Sequence, residues 1–108
     1  MHCEDQMRAL VLVPFQPEEA ITLKEAAHVA GRSEATIRGY CRNHDIGRRI
    51  PTGGPWRVSR VALHMLLEND LEALDTYLAG DRQSPSVQHY FRRLGVPIPR
   101  TEDGRAGQ

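Results

Sequence analysis

The most constraining feature of this chain is a close succession of two helix signals on either side of Gly31. Thr22 and Glu25 have the spacing of a capping box, in which each side chain bonds a free backbone N–H of the first helical turn. A small apolar face follows at helical spacing, formed by Leu23, Ala26, Ala27 and Ala30. Gly31 suits the left-handed residue that closes a helix, and Ser33 suits the cap of the next one. Two helices joined by the three residues Gly31–Arg32–Ser33 leave few folds open, because so short a connection forces them to cross.

The second helix is predicted to bury one face and expose the other. Its apolar stripe has the required spacing of three and four residues and consists of Thr36, Ile37, Tyr40 and Cys41. The opposite side carries small and polar residues, namely Glu34, Ala35, Arg38, Gly39 and Arg42. Asn43–Gly47 then contains residue types that end a helix. This helix is therefore expected to present a partly basic surface.

A β-hairpin is predicted directly after this helix, over Ile46–Val58. Thr52–Pro55 has the composition of a turn, and apolar and basic residues are interleaved in the short arms Arg48–Ile50 and Trp56–Val58. Trp56 is expected to pack the hairpin on the core, with stacking on a nucleic-acid base as the alternative.

Apolar residues at helical spacing continue over Ser59–Leu78. One long helix or two helices broken near Asn69–Asp70 both fit this pattern. The leucine stripe is expected to belong to the core of the chain, with a dimer seam as the alternative, and consists of Leu67, Leu71, Leu74 and Leu78. A last short helix is predicted with Ser84 as its cap, Pro85 at its first position and Gly95 at its end.

A neutral total charge conceals an uneven distribution. The chain has 14 Lys+Arg and 14 Asp+Glu, but Gly31–Arg60 holds seven arginines against two acids. Glu68–Asp81 holds five acids and no Lys or Arg. The local field decides whether a polyanion binds, so the neutral total does not exclude one. Arginine suits that role because its planar group forms paired hydrogen bonds with phosphate and guanine.

Length and motifs narrow the class of protein further. At 108 residues the chain is expected to form one domain, and its longest apolar run, Ala9–Val13, is too short to cross a membrane. Cys3 and Cys41 do not make a disulfide framework, so the cytoplasm is the expected compartment. The Cys41–His44 interval has no second pair of ligands to complete a zinc site. Because no catalytic or nucleotide-binding motif is readable either, no enzymatic activity, cofactor or metal is expected.

Four groups of residues occur in an order and spacing that are typical of one superfamily: Thr22–Ala27, Gly31–Arg38 with Tyr40, Gly53–Val58, and Arg60–Leu63. With them, residues 21–67 resemble the winged helix-turn-helix of MerR-like and excisionase-like proteins. The resemblance implies a mainly α fold with a small β-hairpin wing. The expected organisation is a partly flexible lead-in over 1–20 with a short strand at Ala9–Val13, a winged helix-turn-helix domain over 21–79, a helical extension over 80–97 and a disordered tail over 98–108.

The resemblance implies that the second helix and the wing bind DNA. The candidate DNA-binding residues are Ser33, Glu34, Ala35, Arg38, Arg42, Arg48, Arg49 and Arg57. Arg38 is expected to read a base in the major groove, Arg42 to meet a phosphate, and the wing arginines to bind the backbone. The chain departs from the family pattern at Arg32, Gly39 and Pro55.

The function implied is sequence-specific binding of double-stranded DNA by a small transcriptional regulator, with a homodimer through Leu67–Leu78 as one arrangement. The first alternative is an excisionase-like architectural factor that bends DNA and acts with a recombinase. A phage packaging subunit and a protein-interaction module without DNA binding are further alternatives.

Overall fold

The structure, a computed structural model, describes residues 9–49 and 54–99. Its elements in chain order are β1 (Ala20–Ile21), α1 (Leu23–Ala30), α2 (Glu34–His44), β2 (Gly47–Arg49), β3 (Trp56–Ser59), α3 (Arg60–Leu67), α4 (Leu71–Leu78) and α5 (Pro85–Leu94). The predicted fold class is confirmed, since helices dominate and a small antiparallel hairpin follows the first two of them.

Local capping fixes the first two helices as predicted. Thr22 Oγ1 accepts from the Glu25 amide at 3.0 Å, and Glu25 Oε1 accepts from the Thr22 amide at 2.9 Å. Gly31 closes α1 in the left-handed conformation, with φ at 68°. Ser33 Oγ then accepts from the Thr36 amide at 3.1 Å and caps α2. The turn between the helices is therefore as short as the sequence predicts.

The hairpin belongs to a three-stranded antiparallel sheet in the order β1-β3-β2. Arg48 lies opposite Arg57 in the pair β2–β3, and Ala20 lies opposite Ser59 in the pair β1–β3. Gly47 allows β2 to approach closely, because a Cβ there would lie 2.6 Å from the Arg57 carbonyl and 2.7 Å from the Cys41 sulfur. The predicted turn residues Thr52 and Gly53 lie outside the described residues.

The core lies between α2, β3 and the three C-terminal helices. Its fully buried members include Ala26, Ile37, Val58, Val61, Leu63, Met65, Tyr77, Val87 and Phe91. Trp56 and Tyr40 are half-buried and pack against this core, as expected for both. Helix α5 covers one side of it, so the C-terminal extension contributes to the same core as the hairpin.

The apolar stretch after Ser59 forms two helices, which decides between the two alternatives. Asn69 has a left-handed backbone with φ at 58°, and the Asp70 carboxylate caps α4 by accepting from the Ala73 amide at 3.2 Å. The break separates Leu67 from the other three leucines of the stripe, which all lie in α4. Leu74 is buried, whereas Leu71 is 47% exposed.

Two local predictions are wrong. Ala9–Val13 forms a turn and not a strand, because its backbone groups bond side chains of distant residues. The Leu12 amide donates to the Tyr77 hydroxyl at 2.9 Å, and Arg82 Nη2 donates to the carbonyls of Leu10 and Val13 at 2.7 and 2.8 Å.

The second wrong prediction is the cap of α5 by the Ser84 side chain. This residue occupies the cap position before α5, but its hydroxyl donates to Asp81 Oδ2 at 2.7 Å and makes no capping bond. Pro85 stands at the first position of the helix and Gly95 closes it with φ at 71°, both as predicted. The predicted tail falls mostly outside the described residues, which end at Pro99.

A buried polar network joins the segment before β1 to the C-terminal half of the chain. The Glu19 carboxylate accepts from the hydroxyls of Ser59 and Tyr77, and the Arg82 guanidinium lies 3.8 Å from the centre of the Tyr77 ring. Glu19 and Arg82 are each only 1% exposed. Burial raises the pKa of Glu19 and of Tyr77 and lowers the pKa of Arg82.

Tyr77→Phe is expected to reduce the free energy of unfolding by about 1–3 kcal/mol, because it leaves the Glu19 carboxylate and the Leu12 amide short of a partner. The measurement is urea denaturation followed by circular dichroism. Tyr40→Phe is the matched control, since the Tyr40 ring is only half-buried and its change is expected to stay within about 0.5 kcal/mol. Equal losses in the two variants would contradict a stabilising role for the network.

The pKa of Glu19 makes a second test possible. Burial raises it above its ordinary value of 4.5 in the folded chain, so the protonated form favours folding. The contribution is complete below the unfolded pKa and is lost as pH rises through the folded pKa. The unfolding free energy of the wild type minus that of Glu19→Gln is therefore expected to decrease in chemical denaturation as pH rises above 4.5, the ordinary pKa of the carboxyl group. A difference that increases with pH would contradict it.

Candidate nucleic-acid interface

One face of helix α2 packs against the core, and the opposite face is exposed to solvent. Ile37 and Cys41 are buried, at 0% and 3% exposure, and α1 packs beside them. Burial raises the pKa of Cys41 to about 11, so this thiol is a neutral core group. The opposite face carries Glu34, Ala35 and Arg42 in exposed positions and Arg38 in a half-exposed one.

The wing places two arginines side by side. Arg48 and Arg57 are directly opposed in the antiparallel register, so both side chains point to the same face of the hairpin. Arg49 is opposed to Trp56 and lies on the other face. Like charges in directly opposed positions destabilise a hairpin, which makes this pair unfavourable in the free protein.

The described residues supply no carboxylate that neutralises these cations. Across residues 9–49 and 54–99, no salt bridge involves any candidate arginine of α2 or of the wing, and the ion pair found there joins Arg93 to Glu68. The polar contacts of the wing arginines are local. Arg57 Nη1 donates to the Trp56 carbonyl at 3.2 Å, and Arg49 Nε donates to the Gly54 carbonyl at 3.4 Å. Their charges are thus open to an external anion.

A cleft of about 250 Å³ joins the start of α2 to the wing. It is lined by Thr22, Leu23, Lys24, Glu34, Pro55, Trp56 and Arg57. Glu34 and Arg57 are the predicted residues that meet there, while the other candidates lie elsewhere on α2 and the hairpin. Lys24 is a residue that sequence reasoning missed. Its position in the first turn of α1 is the only signal that places it near the wing.

Ser33 has a local role. Its hydroxyl accepts from the Thr36 amide and donates to Thr36 Oγ1 at 3.0 Å, so it is engaged in capping α2. It orients the first turn of the helix, where Glu34 and Ala35 are exposed. A DNA contact by Ser33 stays a prediction.

A larger open groove of about 900 Å³ runs beside β1 and α1. Its charged lining is mixed, with Glu18 and Glu25 alongside Lys24 and Arg60. None of the predicted DNA-binding residues lines it, but Thr22 and Lys24 line both this groove and the cleft beside the wing.

Two short helices joined by a three-residue turn and followed by an arginine-bearing hairpin form a winged helix-turn-helix arrangement, which is typical of DNA-binding domains. Residues 20–70 match the model of a family described as a helix-turn-helix domain, a range that runs from β1 to the cap of α4. No match was found among curated proteins or among solved structures.

Over 9–49 and 54–99, no group of three or more His, Cys, Asp or Glu side chains is arranged to hold a metal ion. In the same part of the chain, every helix is too short or too polar to span a bilayer.

Arg48→Glu is expected to have opposite effects on stability and on binding. In the free protein it replaces a repulsive pair by an attractive one, which should raise the unfolding free energy by about 0.2–1 kcal/mol. The same change should weaken DNA binding, because it removes a cation from the wing. Thermal unfolding and fluorescence anisotropy measure the two effects. Arg92→Glu, an equal charge change on α5, is the control, and an equal gain of stability there would contradict the prediction.

Proposed function

We propose that this protein binds double-stranded DNA in a sequence-specific manner and acts as a small transcriptional regulator. Helix α2 enters the major groove, and the wing binds the adjoining backbone. The observation that carries the proposal is the directly opposed pair Arg48–Arg57, whose mutual repulsion a phosphate between the two side chains would relieve.

The exposed face of α2 is suited to the groove. Ala35 is small and exposed next to the helix start, which permits close approach to the bases. Arg38 follows at nearly one turn and is assigned to a base edge, where its planar group can make two hydrogen bonds to guanine. Arg42 lies one further turn along and is assigned to a phosphate.

The wing supplies affinity more than specificity. Arg48, Arg57 and Arg49 contact the backbone, where binding releases condensed counterions and is independent of sequence. Lys24, at the cleft between α1 and the wing, adds a cation on the same side. The proposal assigns binding and no catalysis or cofactor to the chain, and a cytoplasmic location.

Selection of bound duplexes from a random pool by the purified full chain tests the function. A recurrent motif is expected, and its symmetry indicates how many protein copies bind one site. A palindrome indicates that two copies bind, and one such site at a promoter supports a regulator. Tandem repeats of the motif would favour the excisionase-like alternative. Enrichment of no motif, with no retention of random duplex at low salt, would contradict DNA binding and favour a protein-interaction module.

Arg38→Ala and Arg57→Ala should affect DNA binding differently, the first mainly through sequence specificity and the second through overall affinity. Arg38→Ala is expected to lose about 1–3 kcal/mol on the selected site and little on random DNA, because it removes a base contact. Arg57→Ala is expected to weaken both and to reduce the slope of log K against log salt by about 0.9, the value for one phosphate contact. Anisotropy titrations at several salt concentrations measure this. Identical effects of the two variants on both duplexes would contradict the assignment.

A further inference from the structure

Two large apolar side chains remain uncovered at the corner between α3 and α4. Leu67 ends α3 and is 38% exposed, and Leu71 begins α4 and is 47% exposed. Leu74 and Leu78 follow in α4 but turn inward, the first buried and the second packed against the core. The corner therefore exposes two leucines that the core of the chain does not use.

Contacts with α5 hold this corner in place. The Tyr90 hydroxyl donates to Asp70 Oδ2 at 2.9 Å, and Arg93 Nη1 donates to Glu68 Oε1 at 3.2 Å. The Arg93 bond lowers the pKa of Glu68. Because both ends of the connection are tied to α5, Leu67 and Leu71 occupy fixed positions before any partner arrives.

Carboxylates surround Leu71 on the exposed side of α4. Glu72 follows it directly, and Asp75 lies one turn further along the same face. Both are exposed, and over residues 9–49 and 54–99 neither is part of an ion pair. Arg93, the cation at this corner, is engaged with Glu68. Leu67, Leu71, Glu72 and Asp75 together are named the α4 outer face.

We propose that the α4 outer face docks a basic amphipathic segment of a second protein, with apolar side chains on the two leucines and Lys or Arg side chains on Glu72 and Asp75. Charge decides against the other occupants. A symmetric contact with a second copy would bring the Glu72 and Asp75 carboxylates of both chains together without a matching cation. DNA and an anionic membrane would be repelled by the same groups.

The position of this face allows it to act alongside DNA binding. Helix α4 packs mainly on α3 and α5, whereas α2 packs on α1 and next to the hairpin. A partner on α4 would leave the arginines of α2 and of the wing free. Docking of the basic segment does not require the proposed function. Recruitment of that partner to a DNA site goes beyond the proposed function and rests on it.

The test uses a fluorescently labelled synthetic helix of lysine and leucine as the probe, titrated with the full chain. Saturable binding is expected, together with little binding of a peptide in which each lysine is glutamate. The double variant Glu72→Lys/Asp75→Lys and the single variant Leu71→Ser should each weaken binding about tenfold, a loss of roughly 1.4 kcal/mol. Higher salt should weaken binding to the wild type more than to the double variant.

Matched controls are available on α1 and before β1. Val29→Ser changes an apolar side chain with the same 47% exposure as Leu71, and Glu18→Lys reverses an exposed acid. Neither should alter peptide binding. Equal affinity of all variants, or absence of peptide binding, would overturn the proposal. So would concentration-dependent dimerisation in sedimentation velocity that Leu71→Ser abolishes. DNA binding by the same samples is measured separately, and its loss would contradict the proposed function alone.

Discussion

Burial of Ile37 and Cys41 on one side of α2 decides where the basic residues of this chain point. Each arginine of the helix follows a buried residue by one position, so the helical repeat carries Arg38 and Arg42 away from the deepest packing. Full burial of Ile37 contributes about 1.5–3 kcal/mol, whereas an unpaired guanidinium turned inward would cost more than that. The basic surface is therefore a consequence of the core, and α1 with its three-residue turn fixes its angle.

Strand β3 connects this surface to the rest of the fold. Val58 is buried in the core, Ser59 caps α3 and bonds the buried Glu19 carboxylate, and Arg57 points to the same face of the hairpin as Arg48. Three consecutive residues of β3 thus contribute to the core, to the buried polar network and to the wing. Because α1, α3 and β1 all pack against this strand, the wing is anchored on the rest of the fold despite its short arms.

The parts of the fold that were predictable from sequence are those fixed by local interactions. The caps at Thr22 and Ser33 and the left-handed Gly31 involve residues within a few positions, so their signals are readable directly. The hairpin was predicted from its turn composition, whereas the register that sets Arg48 opposite Arg57 was not predicted. Glu19 and Arg82 gave no such signal, because Glu19 bonds side chains 40 and 58 residues away and Arg82 bonds carbonyls 69 and 72 residues away along the chain.

The leucine stripe shows why periodicity alone misled. Asn69 and Asp70 separate Leu67 from the stripe, while Leu71, Leu74 and Leu78 keep their helical spacing within α4. Leu71 stands at the first position of that helix and is 47% exposed, so spacing alone did not tell which leucines are buried. The predicted strand at Ala9–Val13 does not form, because the distant side chains of Tyr77 and Arg82 bond its backbone. Lys24 was missed because its place beside the wing depends on how α1 packs on β3.

The most direct measurement is an NMR titration of the isotope-labelled full chain with a duplex that carries its selected motif. If α2 and the wing bind one duplex together, amide and guanidinium signals of Arg38, Arg42, Arg48 and Arg57 shift at the same protein-to-DNA ratio, and those of α4 stay in place. Shifts confined to α4 and α5, or to the groove beside β1, would show that DNA binds elsewhere and would contradict the interface derived from this fold.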